Sequence, residues 1–283
     1  MTSAELHDGS TIDVQVAGRG PDLFVPVRTA PFEADQAQTM RQWGADPDLG
    51  PELVRRLSGS FRLITADYEG HRMAHPAART LTADTVALDL LAIADAAGAG
   101  RFSYYGYSWL ALCGLQLALR TDRLQAVVMG GFPPLDGPYA EMLAVTRAAH
   151  SQAGEQTGAA EPETVTPGDW DSASIQVDPD QTEQFVTLYE SLVGFDDRAA
   201  QERLTVPRFC FAGASDDIDY SPRWGGVRVR IAEPLQEHRA TLEALGWRVA
   251  LLPGLDHVGA MHAAVVAPLL EEWLARPSAS STG

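Results

Sequence analysis

The chain has no lysine: all 21 of its lysine-plus-arginine positions are arginine. Schiff-base and lysine-nucleophile chemistry are therefore excluded. Only two cysteines occur, Cys113 and Cys210, each inside an apolar run. They read as buried thiols, too few for a disulfide framework and without the spacing of metal ligands. Basic residues are outnumbered, 21 against 38 acidic, which leaves a formal net charge of -17. Such a surface repels phosphate backbones and anionic lipid, so neither nucleic acid nor a membrane is an expected partner. No apolar run approaches the length needed to span a bilayer, and the first residues lack the basic-then-apolar pattern of a leader. A cytoplasmic protein is the expectation. Clustered His/Cys/carboxylate ligands and a phosphate-cradling glycine loop are also missing, so no cofactor and no metal is expected.

What is present is a chain of 283 residues, 45% hydrophobic, enough for a substantial core. Glu5 to Val16 holds Asp8-Gly9 between extended segments, a hairpin signal, and Asp22 to Val27 is a compact apolar strand. Further strands are expected at Arg62–Asp67, before Ser108, and at Leu124–Met129, Arg208–Ala212 and Trp247–Leu252. Thr82 reads as the N-cap of a helix whose apolar positions Val86, Leu90, Ile93, Ala94 and Ala97 follow helical spacing and stop at Gly98. Other helices are expected after Ser108, at Glu233–Leu245 and at Ala260–Leu274. Alternating strands and helices predict a mostly parallel, doubly wound α/β sheet.

The alternation breaks between Pro133 and Arg203, where two helical patterns, Tyr139–Ala149 and Gln181–Val193, flank a polar stretch. An insertion placed there reads as a lid over the strand ends, where open α/β sheets carry their sites. The expected organisation is a core of residues 1–132 and 204–276, a cap of 133–203, and a disordered tail of 277–283.

The most telling segment runs from Phe102 to Leu119. An aromatic apolar strand ends in Gly106-Tyr107-Ser108-Trp109 and a small-residue helix starts at once, leaving one serine on the bend. Such a turn strains the middle residue, pushes its hydroxyl out of the sheet edge and aims a helix N-terminus at it. Taken alone, the same residues also describe an ordinary turn with Ser108 as a helix N-cap. A serine becomes a nucleophile only if an imidazole takes its proton and a carboxylate orients that imidazole. Downstream, Gly213-Ala214-Ser215-Asp216 follows one strand, and Leu252-Pro253-Gly254-Leu255-Asp256-His257 follows the next.

This order of serine, acid and histidine at successive strand ends resembles the α/β-hydrolase family, serine-hydrolase type with a cap insertion after the sixth strand. The resemblance covers nearly the whole chain. It implies Ser108 as nucleophile, His257 as general base and then acid, and Asp216 as the orienting carboxylate, with Asp217 and Asp136 as alternative acids. Asp67 and Gly70 resemble the family's structural D-x-x-G turn. The implied oxyanion donors are the Trp109 amide and one from the loop after Asp22–Val27, Arg28 or Thr29. That loop lacks the family's His-Gly, and Leu110 stands where the family pattern G-x-S-x-G has its last glycine. Tyr107, Phe132, His71 and Trp224, with Trp170, are candidate pocket residues.

The implied activity is cleavage of a small apolar ester, lactone or thioester through an acyl-enzyme. The alternatives are carbon–carbon hydrolysis or natural-product tailoring on the same triad, or a non-catalytic binder on the same fold. A serine at the bend disfavours the epoxide-hydrolase and dehalogenase branches, which need a carboxylate nucleophile. The expected partners are a small-molecule substrate and at most a second copy of the chain.

Overall fold

The computed structural model describes residues 2–153 and 178–275. β1 (Thr2–Glu5) and β2 (Thr11–Gly18) form the opening hairpin, Thr2 lying opposite Val14. β3 (Asp22–Val25), α1 (Ala34–Gln42), α2 (Leu49–Leu57), β4 (Arg62–Thr65), α3 (Tyr68–Ala74) and α4 (Ala83–Ala96) follow. Then come β5 (Phe102–Tyr107), α5 (Trp109–Ala118) and β6 (Leu124–Gly130). The cap supplies α6 (Tyr139–Gln152), α7 (Pro179–Glu190) and the short α8 (Asp197–Ala200). β7 (Arg208–Gly213), the hairpin strands β8 (Asp217–Asp219) and β9 (Arg228–Arg230), α9 (Ala232–Glu237), α10 (Arg239–Ala244), β10 (Trp247–Leu252) and α11 (Ala263–Leu274) complete the chain.

Eight strands form one sheet in the order β1-β2-β4-β3-β5-β6-β7-β10. β2 pairs antiparallel with β1 and β4, and every pair from β4 to β10 is parallel. All six residues of β5 are buried, as a central parallel strand covered on both faces requires. Side-chain alternation divides the core. Phe24, Tyr104 and Met129 pack on one face with α4 and α5, while Leu23, Val25, Tyr105 and Val128 pack on the other with α2 and α11.

Local chemistry sets the boundaries. Thr82 caps α4 through its hydroxyl, and the side chain of Thr85 returns a bond to the Thr82 amide, closing a capping box. Gly98, at φ +68°, ends the helix in the left-handed conformation that glycine adopts without strain. The cap is docked by side chains of α7: Gln181 and Gln184 donate to the carbonyls of Met73 and Arg72, and Thr187 donates to that of Ala78.

Two expectations change, and two features are additional. The helix foreseen over Glu233–Leu245 is two, because the backbone leaves helical geometry at His238, whose Nε2 lies 2.7 Å from an Asp136 carboxylate oxygen. The closing helix begins at Ala263 rather than Ala260, after a 3-10 turn over Gly259–Met261 and an extended His262. Helices α1, α2 and α3 were not foreseen. Ser221 to Gly226 forms the tip of the β8–β9 hairpin. Trp170, the polar stretch of the cap over 154–177 and the tail over 276–283 lie outside the described residues.

Candidate active site

The parallel strands point their carboxyl ends toward one edge of the sheet, and the bends after β5, β7 and β10 lie there. Ser108 links β5 to α5 with φ 55° and ψ -129°, a sparsely populated conformation for a residue with a side chain. Its hydroxyl makes no capping bond, so the N-cap reading is not what is observed. The bend is fixed by the backbone instead: the Ser108 amide donates to the Gly130 carbonyl at 2.8 Å, and the Ser108 carbonyl accepts from Ala111 at 2.9 Å.

Glycine makes this approach of strand and helix feasible. A Cβ on Gly106 would stand 2.2 Å from the Leu110 carbonyl oxygen. One turn along α5, a Cβ on Gly114 would meet the Tyr104 ring at 2.6 Å. Leu110, the departure from the family pattern, is buried in the core and contributes its carbonyl as acceptor for the Tyr104 hydroxyl at 2.9 Å. The close contacts fall on Gly106 and Gly114, so position 110 tolerates a side chain.

Asp216 is fully buried beyond the end of β7, and both its carboxylate oxygens face His257 Nδ1, at 2.9 and 3.0 Å. Gly213 lets the two loops meet, since a Cβ there would lie 2.3 Å from the Leu255 carbonyl oxygen. Burial pushes the Asp216 carboxyl above its usual range, and the hydrogen bond and charge of His257 act in the opposite direction. The imidazole itself is 17% exposed, so the ring has one nitrogen committed to a buried acid and access to solvent. Ser108 and His257 share a neighbour in the Gly130–Gly131 backbone. Ser108 bonds to Gly130, and a Cβ on Gly131 would fall 3.0 Å from His257 Cε1.

The alternative acids are occupied elsewhere. Asp217 Oδ1 accepts from the amides of Ile231, Ala232 and Glu233 at 2.7–3.3 Å, capping the entry to α9. Asp136, itself at φ 52°, binds Arg198 and His238. Neither meets His257.

Trp109 opens α5, so its amide lies in the first helical turn, where backbone N–H groups have no helical acceptor. In the loop after β3, the Val27 amide is used by the Val25 carbonyl. The Arg28 guanidinium reaches the Ala30 and Pro31 carbonyls and Asp67, and the Thr29 hydroxyl donates to Gln15. The side chains of both residues are therefore committed to the protein's own groups. Gly50 of α2 holds this loop, since a Cβ there would collide with the Arg28 carbonyl.

The candidate pocket residues take different places. Tyr107 stands behind the imidazole, buried, donating to the His257 carbonyl at 2.6 Å, so its polar end grips the His257 loop rather than facing a ligand. Phe132 is buried against Tyr139 of the cap at 5.7 Å between ring centroids. Trp224 is buried in the tip of the β8–β9 hairpin, whose next residue, Gly225, lies against Ala144 of α6. His71 shares a hydrogen bond with the Ser10 hydroxyl at 2.9 Å and lines a cavity of about 330 Å³ with Arg28, Thr29 and Asp67. Burial and the neighbouring Arg72 and His75 lower its affinity for a proton. A larger cavity, about 490 Å³, lies at the opposite sheet edge beside Arg123, Leu124 and Pro207, away from all of these groups. His150 bonds Thr182 inside the cap, and His262 faces the Gly44 carbonyl. Two neighbours of the bend were not singled out from sequence: Phe185 of α7, whose ring meets Trp109 edge-on at 5.3 Å, and Glu69 of α3.

No family model matches the chain, and no curated protein does. Solved structures do. The enol-lactonase of Burkholderia xenovorans superposes with a TM-score of 0.63 over 97% of this chain and 100% of its own, at 18% identity. A thermophilic esterase of Thermogutta terrifontis gives 0.62 over 97% and 98%, at 15% identity. E-2-(acetamidomethylene)succinate hydrolase gives 0.60 over 98% and 99%, at 15% identity. The chain has the α/β-hydrolase fold, with helices inserted after its sixth strand as a cap.

Proposed function

We propose that this protein is a serine hydrolase that cleaves a small apolar ester, lactone or thioester through an acyl-enzyme. The observation that carries the reading is the His257–Asp216 hydrogen bond at 2.9 Å, made by a fully buried acid at the sheet edge where strained Ser108 turns into α5. A buried carboxylate facing Nδ1 fixes the tautomer that leaves Nε2 as the free base.

In this reading the Ser108 Oγ attacks the substrate carbonyl carbon while His257 Nε2 takes the hydroxyl proton. Negative charge develops on the carbonyl oxygen and is met by the Trp109 amide at the positive end of α5, with a second amide from the Arg28–Thr29 loop. Collapse breaks the bond to the leaving alkoxide, enolate or thiolate, which takes the proton carried by His257 and departs as the alcohol, enol or thiol. Water then repeats the sequence on the acyl-enzyme, giving up its proton to Nε2 and releasing the acid and free Ser108. Asp216 stays ionised throughout, stabilising the imidazolium. Among the described residues, no group of three or more His, Cys, Asp or Glu could hold a metal ion, and no step here calls on one.

Pre-steady-state hydrolysis of a short-chain p-nitrophenyl ester tests the reading. A burst of p-nitrophenol stoichiometric with protein, abolished in Ser108→Ala, is expected. A wild-type chain with no burst and no turnover over a panel of esters, lactones and thioesters, yet saturable binding of the same compounds, would favour the non-catalytic binder instead.

A further inference from the structure

Tyr107 is the last residue of β5 and immediately precedes Ser108. By strand alternation its side chain shares a face with Tyr105. There it packs against Phe211 of β7, the strand that leads to Asp216, with ring centroids 6.1 Å apart. Its hydroxyl donates to the His257 carbonyl at 2.6 Å, and its ring lies 5.2 Å from the imidazole, centroid to centroid. One rigid side chain thus borders all three members of the site: Ser108 through the chain, Asp216 through its strand, and His257 by direct contact.

The end of β6 is shaped around this ring. A Cβ on Gly130 would stand 2.5 Å from the Tyr107 ring, and one on Gly131 would stand 2.7 Å from it. Both glycines leave the slot that the ring fills. Tyr107 is buried, and burial pushes its phenol further above the usual range, so the hydroxyl keeps its proton and stays a donor.

His257 needs a second anchor. The two Asp216 oxygens lie nearly equidistant from Nδ1, at 2.9 and 3.0 Å. That contact fixes the tautomer and tethers one edge of the ring, but it does not hold the backbone from which the ring swings. The preceding Pro253-Gly254-Leu255-Asp256 turn includes Gly254 at φ +73°. Among the described residues, the donor that meets the His257 carbonyl is the Tyr107 hydroxyl.

We propose that Tyr107 is a positioning residue: through its bond to the His257 carbonyl it sets where Nε2 stands relative to the Ser108 hydroxyl. The inference rests on the hydrolase reading for the reaction it serves.

The test pairs Tyr107→Phe with Tyr105→Phe. Tyr105 lies two residues earlier on the same face, stacks on the same Phe211 at 6.2 Å, and has a buried hydroxyl without a hydrogen-bond partner. Each change removes one buried hydroxyl and keeps the ring, so only the bond to His257 distinguishes them. On a short-chain p-nitrophenyl ester, well below either melting temperature, Tyr107→Phe should lower kcat by about tenfold through a misplaced base. KM should stay within about twofold. Tyr105→Phe should match wild type in both. The low-field Nδ1 proton of His257, seen by NMR, should broaden or move upfield in Tyr107→Phe and stay as it is in Tyr105→Phe. Wild-type kcat in Tyr107→Phe, a loss confined to KM, or an equal fall in Tyr105→Phe overturns the proposal. In wild type alone, the Tyr107 hydroxyl proton should exchange slowly enough to give a resolved signal near the His257 loop, and its absence would also overturn it. If wild type turns over no ester, the hydrolase reading is what has failed. The Nδ1 proton then decides on Tyr107: a change in Tyr107→Phe only supports the positioning role, and identical signals in the two variants refute it.

Discussion

Gly106→Ala puts the elbow geometry to its hardest test. The added Cβ would stand 2.2 Å from the Leu110 carbonyl oxygen, 2.5 Å from its carbon and 2.9 Å from the Ala111 nitrogen, where real Cβ atoms essentially never come within 3.0 Å. All three are backbone atoms of the first turn of α5, so no flexible side chain can yield. The strand end and helix start must separate by about 0.8 Å against the worst contact, the difference between 2.2 and 3.0 Å. That opening strains the Ser108 amide bond to Gly130 and shifts the Trp109 amide, while the His257 side of the site stays in place. A displacement approaching 1 Å costs on the order of a hundredfold in rate, and overpacking of this kind costs about 1–3 kcal/mol of stability. The control is Gly59→Ala, where a Cβ meets nothing within 4 Å and φ is ordinary. Thermal unfolding and kcat/KM on one activated ester, measured for both variants, give the answer. If Gly106→Ala matches Gly59→Ala in both, Gly106 is not what lets strand and helix meet, and the account of the bend is wrong.

Asp216→Asn should lower kcat by about 10³–10⁴-fold, since a neutral amide no longer fixes the imidazole tautomer, while leaving the melting temperature equal or higher. The sign follows from the raised carboxyl: with a folded pKa above the unfolded one, Asp216 favours the fold most at low pH and its contribution is lost as pH rises through the folded value. A large drop in melting temperature at neutral pH would contradict this. Asp217→Ala should retain most activity and lose about 1 kcal/mol through the α9 cap, as read by denaturant unfolding; activity as low as in Asp216→Asn would move the orienting role to Asp217. Asp8 shows the opposite pH behaviour. Burial raises its carboxyl, but hydrogen bonds from fully buried Arg72 and from Ser10 outweigh that and hold it well below the usual range. Its contribution is present above the unfolded pKa and is lost on acidification. Asp8→Asn should destabilise by about 3 kcal/mol, because it leaves the Arg72 charge buried and unpaired; an unchanged unfolding midpoint would refute that.

The fold was legible because the apolar runs of the central strands are short, bounded and interleaved with helical periodicity, and the serine–acid–histidine order could be read at their ends. The hydrogen bond between the last two could not. Asp216 and Asp217 are adjacent and chemically identical, and only the bend at Gly213, which brings the chain against Leu255, buries one and turns the other to cap α9. The concern raised by Leu110 dissolves for a similar reason: which position needs glycine depends on where helix and strand touch, a tertiary fact expressed at Gly106 and Gly114. Tyr107 looked like a pocket residue because it precedes the serine, but side chains alternate along a strand, and its face is the one behind His257. Helix α1 is short and mostly polar, α2 keeps helical apolar spacing at Leu49, Leu53 and Leu57 but opens on Gly50-Pro51, which reads as a turn, and α3 begins inside a turn that reads as complete in itself. Trp109 and Phe185 are 76 positions apart, and the meeting of their rings has no local signature.

The central claim is that the hydroxyl on the β5–α5 bend is activated by the imidazole that Asp216 holds. Labelling with a fluorophosphonate, followed by peptide mass spectrometry, tests it most directly. One adduct per chain on Ser108, formed at a rate that falls at least a hundredfold in His257→Ala, is the predicted result. An unlabelled Ser108, an adduct on another serine, or labelling that proceeds as fast without His257 would contradict it.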